Sequence, residues 1–270
     1  MIDDDEPVLT DDDRDLWAAW SETSCLWARG SVHAHRVDEA RRAIADMQER
    51  APRAYIAWSG GKDSTAMAHL AAGLGVRVAM SVKDDLDFPG EEEYLRVLAA
   101  QWGIRLDIER PAFSLQSWLV EHPGLDASDD MHGRATAFSE AAFYSLIDAY
   151  RDRHGCPGVY LGLRGEESRG RKMNLATRGL VYEKCGGEIV CQPLARWRGI
   201  DVFAYLLSRD IPVLPLYRCV ALRREPDRIR KSWWLPGADS KRGGMIWLRT
   251  YWPSLYGRLC EIMPSARGWG

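Results

Sequence analysis

The stretch from Ser59 to Ser64 reads Ser-Gly-Gly-Lys-Asp-Ser and constrains the fold of this chain more than any other part of the sequence. It follows a short apolar run at 54–58 and precedes a helical pattern at 65–70. A strand, a glycine turn and a helix start in this order gather unpaired backbone N–H groups and the positive end of a helix dipole around one point. The two glycines let the backbone turn sharply and approach an anion closely. The sequence therefore predicts a phosphate-binding loop between a strand and a helix.

The six residues resemble the PP-loop of the ATP pyrophosphatases, whose pattern is Ser-Gly-Gly-x-Asp-Ser. They do not form a Walker A loop, which needs four residues between its glycines and then Gly-Lys-Ser/Thr. An ordinary Gly-Gly turn before a helix is the alternative interpretation, and the flanking strand and helix favour the functional one. The resemblance implies four residues that cradle pyrophosphate: Ser59, Gly60, Gly61 and Ser64. It also implies that Lys62 neutralises the pyrophosphate and that Asp63 orients the loop or a magnesium ion.

Strand-like and helix-like segments alternate along most of the chain. The predicted strands lie at 54–58, 76–82, 104–108 and 158–162, with a hairpin formed by 180–185 and 188–192. The predicted helices lie at 34–50, 63–73, 90–102, 139–153 and 200–208, with two more near the C-terminus. This alternation predicts an α/β fold with a doubly wound, mostly parallel sheet covered on both faces.

Three segments should meet beyond the carboxyl ends of these strands, where ligands bind in such folds. They are the loop at 59–64, the segment 83–89, and the segment 162–172. The last of these concentrates four cations: Arg164, Arg169, Arg171 and Lys172. Arginine suits phosphate or sulfate with paired donors, and lysine acts as a point charge. A solvated surface loop with self-paired charges is the alternative, and the position directly after a buried strand favours binding.

The segment 162–171 reads Gly-x-Arg-x-x-Glu-Ser-x-x-Arg and resembles the second signature of the phosphoadenosine phosphosulfate (PAPS) reductase family. The run at 192–217 resembles that family's "Pro-Leu…Trp…Asp-Val-Trp-x-Tyr-Leu…Ile-Pro…Pro-Leu-Tyr" segment. The stretch from Asp85 to Pro89 resembles its acidic-turn-Phe-Pro segment, although Lys83 and Asp84 replace the usual Asp-Thr. The resemblance implies an adenine nucleotide alpha hydrolase-like (PP-loop) fold with helical N- and C-terminal additions.

The resemblance also implies an adenine-nucleotide site. Its expected binding residues are Ser59, Gly60, Gly61, Lys62, Asp63, Ser64, Asp85, Gly162, Arg164, Glu167, Ser168, Arg171 and Lys172. Those expected to take part in catalysis are Lys62, Asp63, Arg164 and Arg171. Glu167 is expected to orient the arginines. We expect three parts along the chain: an acidic tail, mobile over 1–13, with a helical segment (1–50), a nucleotide-binding domain (51–217) and a basic, aromatic extension (218–270).

The cysteines depart from the reductase pattern. The chain lacks the C-terminal Glu-Cys-Gly-x-His segment of PAPS reductases and the cysteine set of iron–sulfur adenylylsulfate reductases, so no iron–sulfur cluster is expected. Cys219 and Cys260 lie outside such motifs, and most of the six thiols are expected to be reduced and buried. A nucleophilic thiol needs exposure and a lowered pKa. Cys219 stays a candidate because arginines are near it in sequence.

These motifs predict an ATP pyrophosphatase that adenylates an acceptor for sulfur transfer, as in DNA phosphorothioation, with ATP (or PAPS) and magnesium as cofactors. Two alternatives stay open. One is a PAPS reductase of sulfate assimilation. The other is a nucleotide-binding adaptor in a DNA-modification complex, which binds the nucleotide without converting it. Pyrophosphate release from ATP separates the enzyme from the adaptor, and sulfite release from PAPS identifies the reductase.

The composition says less about binding partners than the motifs do. A net charge of −3 does not indicate a nucleic-acid binder, and no apolar run is long enough to span a membrane. The acidic N-terminus lacks signal-peptide features, so a cytoplasmic location is expected. The basic, aromatic stretch from Arg218 to Trp234 is either a nucleic-acid contact or a solvated helix with packing tryptophans. A sulfur-carrier protein and a second copy of the chain are further candidate partners.

Overall fold

The computed structural model describes residues 6–85, 87–121, 143–222, 225–229, 231, 244–262 and 264–269. The α-helices in these ranges are α1 (Asp11–Ala28), α2 (Ser31–Arg50), α3 (Lys62–Gly73), α4 (Glu91–Trp102), α5 (Leu115–Glu121), α6 (Ser145–His154), α7 (Arg169–Arg178), α8 (Gly199–Leu207), α9 (Met245–Tyr251) and α10 (Pro253–Ile262). The strands are β1 (Tyr55–Ala57), β2 (Val78–Val82), β3 (Arg105–Glu109), β4 (Gly158–Leu161), β5 (Val181–Glu183) and β6 (Ile189–Cys191). Short 3₁₀ helices lie at Gly165–Glu167, Pro215–Arg218, Pro226–Arg228 and Pro264–Trp269.

The strands form one mostly parallel sheet in the order β3-β2-β1-β4-β6-β5. Only β5 runs antiparallel to its neighbour, β6, as the predicted hairpin requires. From β1 the chain moves outward through β2 to β3, and then returns to place β4 on the other side of β1. The direction of winding therefore reverses between β1 and β4, which creates a crevice at their carboxyl ends.

Both faces of the sheet are covered. Successive side chains of a strand point to opposite faces, and here they belong to two different hydrophobic clusters. In β1, Ile56 belongs to the larger cluster and Tyr55 to the smaller one, and Ala79 and Met80 divide in the same way in β2. The larger cluster contains apolar residues of α2, α3, α4 and α8, and the smaller one contains Tyr150 of α6. The predicted doubly wound α/β fold is thus confirmed, as are the predicted strands, each within two residues of its expected ends.

The structure corrects two predictions, one of a loop and one of a helix. The cationic segment predicted as a loop over 162–172 forms a 3₁₀ turn and the first turn of α7, which begins at Arg169. The predicted helix at 139–153 is observed from Ser145, and residues 139–142 lie outside the described ranges. None of the helices in the described residues is long and apolar enough to cross a bilayer.

The prediction of a mobile acidic tail over 1–13 is wrong for its last three residues, because Asp11–Asp13 form the first turn of α1. Carboxylates in the first turn of a helix lie close to the positive end of its dipole and stabilise it. Thr10 is the N-cap, and Thr10 and Asp13 form a capping box. Residues 1–5 of the tail lie outside the described ranges.

Asp13 also fastens α1 to the C-terminal third of the chain. Its fully buried carboxylate accepts hydrogen bonds from the Val220 N–H (2.8 Å), the Ala221 N–H (2.7 Å) and the Tyr251 hydroxyl (2.8 Å). Thr10 donates two more, from its backbone N–H (2.9 Å) and its hydroxyl (2.6 Å). Burial alone would raise the pKa of Asp13, but the donors outweigh it and hold the pKa below its ordinary value.

This network predicts a specific loss of stability. Asp13→Ala should lower the free energy of unfolding by about 2–4 kcal/mol, because it leaves buried donors without an acceptor. The exposed neighbour Asp12 provides the control, and Asp12→Ala should cost less than about 1 kcal/mol. Urea unfolding measures both, and equal losses would contradict the role of Asp13.

The pH dependence of that loss follows from the lowered pKa. The stabilisation by Asp13 is fully present above its unfolded pKa of about 3.9. It disappears as the pH falls through the lower pKa of the folded state. Wild type and Asp13→Ala should therefore converge in stability below about pH 4, and a gap that does not narrow in acid would contradict this account.

Candidate active site

The loop at 59–64 lies between β1 and α3, at the crevice where the sheet reverses direction. Gly60 has a φ of +85°, in the left-handed region that favours glycine. Gly61 is the N-cap of α3 and has no side chain to occupy the first N–H groups of that helix. The Ser59 and Ser64 hydroxyls lie 3.0 Å apart, and Ser64 donates to the Gly61 carbonyl (3.0 Å). The predicted strand, glycine turn and helix N-terminus are therefore observed in that order.

A buried cluster of charges stands at this helix N-terminus. Lys62 is 3% exposed and Arg164, which follows β4, is 2% exposed. Asp63 lies between them, with one carboxylate oxygen 2.8 Å from Lys62 Nζ and the other 2.5 Å from Arg164 Nε. The loop after β1 and the segment after β4 are thus joined through one carboxylate.

The electrostatics of the cluster follow from these distances. Burial tends to raise the pKa of Asp63, but the positive charges of Lys62 and Arg164 outweigh it and hold that pKa below its ordinary value. Burial would lower the pKa of Arg164, and the surrounding carboxylates, Asp63 first, raise it instead. Asp63 and Arg164 are therefore charged at neutral pH.

Gly162 allows the two segments to come this close. A Cβ atom at this position would lie 2.7 Å from Ser64 Cα and 2.8 Å from Ser64 N, closer than real Cβ atoms approach. The end of β4 therefore packs directly on the backbone of the first turn of α3. A glycine in the predicted signature thus has a steric reason to be there.

Further residues of that signature arrange the cations. The Arg164 guanidinium is also paired with Glu166, and the Arg164 N–H donates to Glu167 (3.2 Å). Glu167 is paired with Arg171, which is about one-third exposed. Ser168 is the N-cap of α7 and accepts from the Arg171 N–H (3.1 Å). Glu167 thus contacts both arginines, while Lys172 is exposed on α7.

Tyr217 links the downstream Pro-Leu-Tyr motif to the loop. Its buried hydroxyl accepts a hydrogen bond from the Lys62 N–H (3.0 Å), and Lys62 Nζ lies 5.6 Å from the centre of its ring. Burial raises the pKa of Tyr217, which keeps the hydroxyl neutral. The motif at 211–217 therefore supports the helix start that the loop opens.

The segment 83–89 reaches the other side of the loop. Lys83 is paired with the fully buried Glu91 and lies 3.6 Å from Asp87. Lys231 contacts the same two carboxylates and donates to the Ser59 carbonyl (2.9 Å). Burial and the nearby charge of Lys231 lower the pKa of Lys83. The structure therefore brings the three predicted segments together.

Asp85, in the same segment, contacts the N-terminus of α5. Its carboxylate accepts from the Ser114 hydroxyl (2.6 Å) and the Gln116 N–H (3.3 Å). Asp85 therefore lies at the start of α5. The nucleotide-binding role expected for Asp85 stays a prediction, and the observed contacts show that it also accepts hydrogen bonds at the N-terminus of α5.

Asp227 is a site residue that sequence reasoning did not predict. Its carboxylate lies 2.9 Å from Arg164 Nη2 and 3.9 Å from Lys62 Nζ. It also fills the space beside Gly199, where a Cβ atom would come within 1.8 Å of it. In the sequence Asp227 is one acid in a basic stretch, without a motif around it, so no local signal marks it.

All six cysteines fall within the described residues. Cys156, Cys191, Cys219 and Cys260 are buried, and Cys185 is exposed. Burial raises the pKa of Cys219, and the carboxylate of Asp13 adds to this effect. Cys219 therefore lacks the lowered pKa of a nucleophilic thiol, despite the arginines near it in sequence.

The observed geometry does not suit Asp63 as a magnesium ligand. Both of its oxygens already face cations, Lys62 and Arg164. Magnesium prefers carboxylate oxygens that are open to it and to its water molecules. Across the described ranges, no group of three or more Asp, Glu, His or Cys side chains is placed to hold a metal ion.

The close approach at Gly162 can be tested directly. Gly162→Ala should lower the free energy of unfolding by about 1–3 kcal/mol, because the new methyl group collides with the backbone of α3. Gly170 is the control: it is helical, a Cβ atom there meets nothing, and Gly170→Ala should be neutral or slightly stabilising. Denaturant unfolding of both variants measures the difference. A Gly162→Ala variant as stable as wild type would show that the two segments are not in contact.

Comparison with known proteins places the chain in a family. The sequence model of the phosphoadenosine phosphosulfate reductase domain matches residues 53–220. The PAPS reductase from Candida auris, solved as a phosphate complex, has a TM-score of 0.52 and 17% identity, over 66% of this chain and 83% of that one.

The fold also resembles Candida glabrata FMN adenylyltransferase, solved with FAD and inorganic pyrophosphate. The TM-score is 0.50 at 11% identity, over 77% of this chain and 69% of that one. At these identities the likenesses show the fold alone, and no curated protein matches the sequence. The family match covers more than half of the chain, so this protein belongs to the phosphoadenosine phosphosulfate reductase domain family.

Proposed function

We propose that this protein binds ATP at the loop 59–64 and cleaves it between the α- and β-phosphates. The observation that supports this most is the buried pair of cations, Lys62 and Arg164, at the N-terminus of α3. The positive end of a helix and two desolvated cations stabilise phosphate charge far better than an exposed loop would. The family match to residues 53–220 supports an adenine nucleotide as the ligand.

In this proposal an acceptor oxygen attacks the α-phosphorus, and the bond to the β-phosphate oxygen breaks. Pyrophosphate leaves with the bonding electrons, and the acceptor carries AMP. The loop backbone, Ser59 and Ser64 hold the departing pyrophosphate, and Lys62 neutralises it. Arg164, Arg171 and Lys172 are the candidate donors to the remaining phosphate oxygens. Catalysis is then mostly positioning and charge stabilisation, with magnesium arriving as part of the ATP complex.

We propose sulfur transfer to a nucleic acid, as in DNA phosphorothioation, as the process that the adenylated acceptor serves. Support comes from α7, which starts beside Arg164 and exposes Arg169, Lys172 and Arg178. Exposed cations of this kind suit a phosphate backbone. A sulfur nucleophile would displace AMP in a second step. A sulfur-carrier protein is the alternative partner.

The reductase alternative requires a cysteine that forms a covalent intermediate. Cys219 is fully buried, and its pKa is raised, which argues against that role. Cys260 is also buried, within α10. These observations favour ATP cleavage over PAPS reduction in this chain.

The proposed cleavage predicts a large effect of Lys62→Met. Loss of the buried ammonium should lower kcat/KM for pyrophosphate release from ATP by about 100-fold or more, the scale of a lost charge-stabilising donor. The control is Lys184→Met, because Lys184 is exposed in the β5–β6 turn and should leave turnover unchanged. Enzyme-coupled pyrophosphate detection, with AMP identified by chromatography, measures both. ATP binding without any AMP formation in the wild type would support an adaptor instead.

A cysteine variant separates the two enzymatic alternatives. Cys219→Ser and Cys260→Ser, made singly, should retain most of the pyrophosphate release, since no thiol takes part in the proposed chemistry. Thermal unfolding accompanies the assay, because both thiols are buried and a hydroxyl there lowers stability. Complete loss of turnover in a variant that folds normally would reject the proposal. Sulfite release from PAPS with a thiol reductant, and no reaction with ATP, would assign the reductase.

A further inference from the structure

The proposed phosphate site is already filled with negative charge from the chain itself. Three cations stand in the cluster: Lys62, Arg164 and Arg171. Four carboxylates surround them: Asp63, Glu166, Glu167 and Asp227. The formal charge is therefore −1, so the cluster as it stands repels a phosphate group rather than attracting it.

Asp227 differs from the other three carboxylates in its origin. Asp63 belongs to the loop, and Glu166 and Glu167 belong to the signature that also supplies Arg164. Asp227 comes from a short 3₁₀ helix 63 residues after Arg164 in the chain. Arg164 already has Asp63 and Glu166 as partners, so Asp227 is not needed to neutralise it.

The position of Asp227 is that of a bound anion. Its carboxylate lies 2.9 Å from the Arg164 guanidinium and 3.9 Å from the Lys62 ammonium. It also touches Gly199, the first residue of α8, whose N–H donates to Glu166 (2.7 Å). Two cations that are more than nine-tenths buried thus flank one carboxylate. Phosphate, sulfonate and carboxylate groups compete for such surroundings, because each carries negatively charged oxygens that accept hydrogen bonds from cations.

The segment that carries Asp227 is also held by the hydrophobic core and by Lys231. Residues 225–229 and 231 are called the strap below. Ile229 anchors the strap in the hydrophobic core. Lys231 then reaches the Ser59 carbonyl (2.9 Å), Asp87 (2.9 Å) and Glu91. The strap therefore contacts the loop through Lys231 and the two site cations through Asp227.

We propose that Asp227 is an internal competitor of the substrate, so that the strap holds the site in an autoinhibited state. Its carboxylate occupies the subsite that a phosphate or sulfonate group of the ligand takes, and it leaves when that ligand binds. This inference rests on the proposed nucleotide site at the loop. It adds that the affinity of the site is set by the strap as well as by the loop.

The size of the effect follows from population arithmetic. If the strap occupies the subsite ten times as often as not, the apparent affinity for an anion falls about tenfold. Removing the charge of Asp227 should restore most of the lost affinity. Asp227→Asn keeps the shape of the side chain, and Asp227→Ala removes it, so the two variants separate charge from volume.

The test is calorimetric titration of the full chain with inorganic pyrophosphate. Asp227→Asn and Asp227→Ala should each bind pyrophosphate about tenfold more tightly than wild type. The control is Asp210→Asn, which removes one negative charge from an exposed position in a turn and should leave the affinity unchanged. Circular dichroism of the many tryptophans verifies that each variant is folded.

The outcomes distinguish this inference from the proposed function. Unchanged or weaker pyrophosphate binding by both folded Asp227 variants would overturn it and make Asp227 a residue that positions Arg164. An absence of pyrophosphate binding in every variant would overturn it too, since no anion subsite would then exist. Tighter binding without release of pyrophosphate from ATP would support the strap and reject ATP cleavage.

Discussion

The ion pair between Arg164 and Asp63 is the interaction on which the rest of the site depends. It joins the loop after β1 to the segment after β4, the two places where the winding of the sheet reverses. Burying such a pair costs desolvation energy, which is recovered only when every charge has partners at short range. Lys62 and Glu166 supply them here. The energetic cost of this arrangement makes sense if the cations serve a ligand as well as the fold.

Buried carboxylates fasten the N-terminal helix α1 to the C-terminal segment and to α8. Asp13 accepts from the backbone just beyond Tyr217, and Tyr217 in turn supports Lys62. Asp201, at the start of α8, accepts from the Trp27 indole (2.7 Å) and the Arg198 N–H (2.7 Å). Burial would raise the pKa of Asp201, but its donors lower it to about 2. These parts of the chain are thus held together by hydrogen-bonded charges as well as apolar contacts.

The sheet and the loop could be predicted from sequence because their signals are local. Short apolar runs specify the strands, and the glycines at 60–61 specify the turn, without reference to distant residues. The signature at 162–171 predicted Arg164, and the reversal of winding explains why it meets the loop. Burial of Asp13 and the position of Asp227 could not be predicted in this way. Each depends on a contact about 60 or more residues away in the chain, and a single acid among other charges carries no local sign of its partner.

A crystal structure with the non-hydrolysable analogue α,β-methylene ATP tests the central claim most directly. The account predicts phosphate oxygens within hydrogen-bond distance of the Lys62 and Arg164 side chains, at the N-terminus of α3. It also predicts that the Asp227 carboxylate has left both cations. A nucleotide bound elsewhere on the protein, with Asp63 and Asp227 still enclosing Arg164, would contradict it.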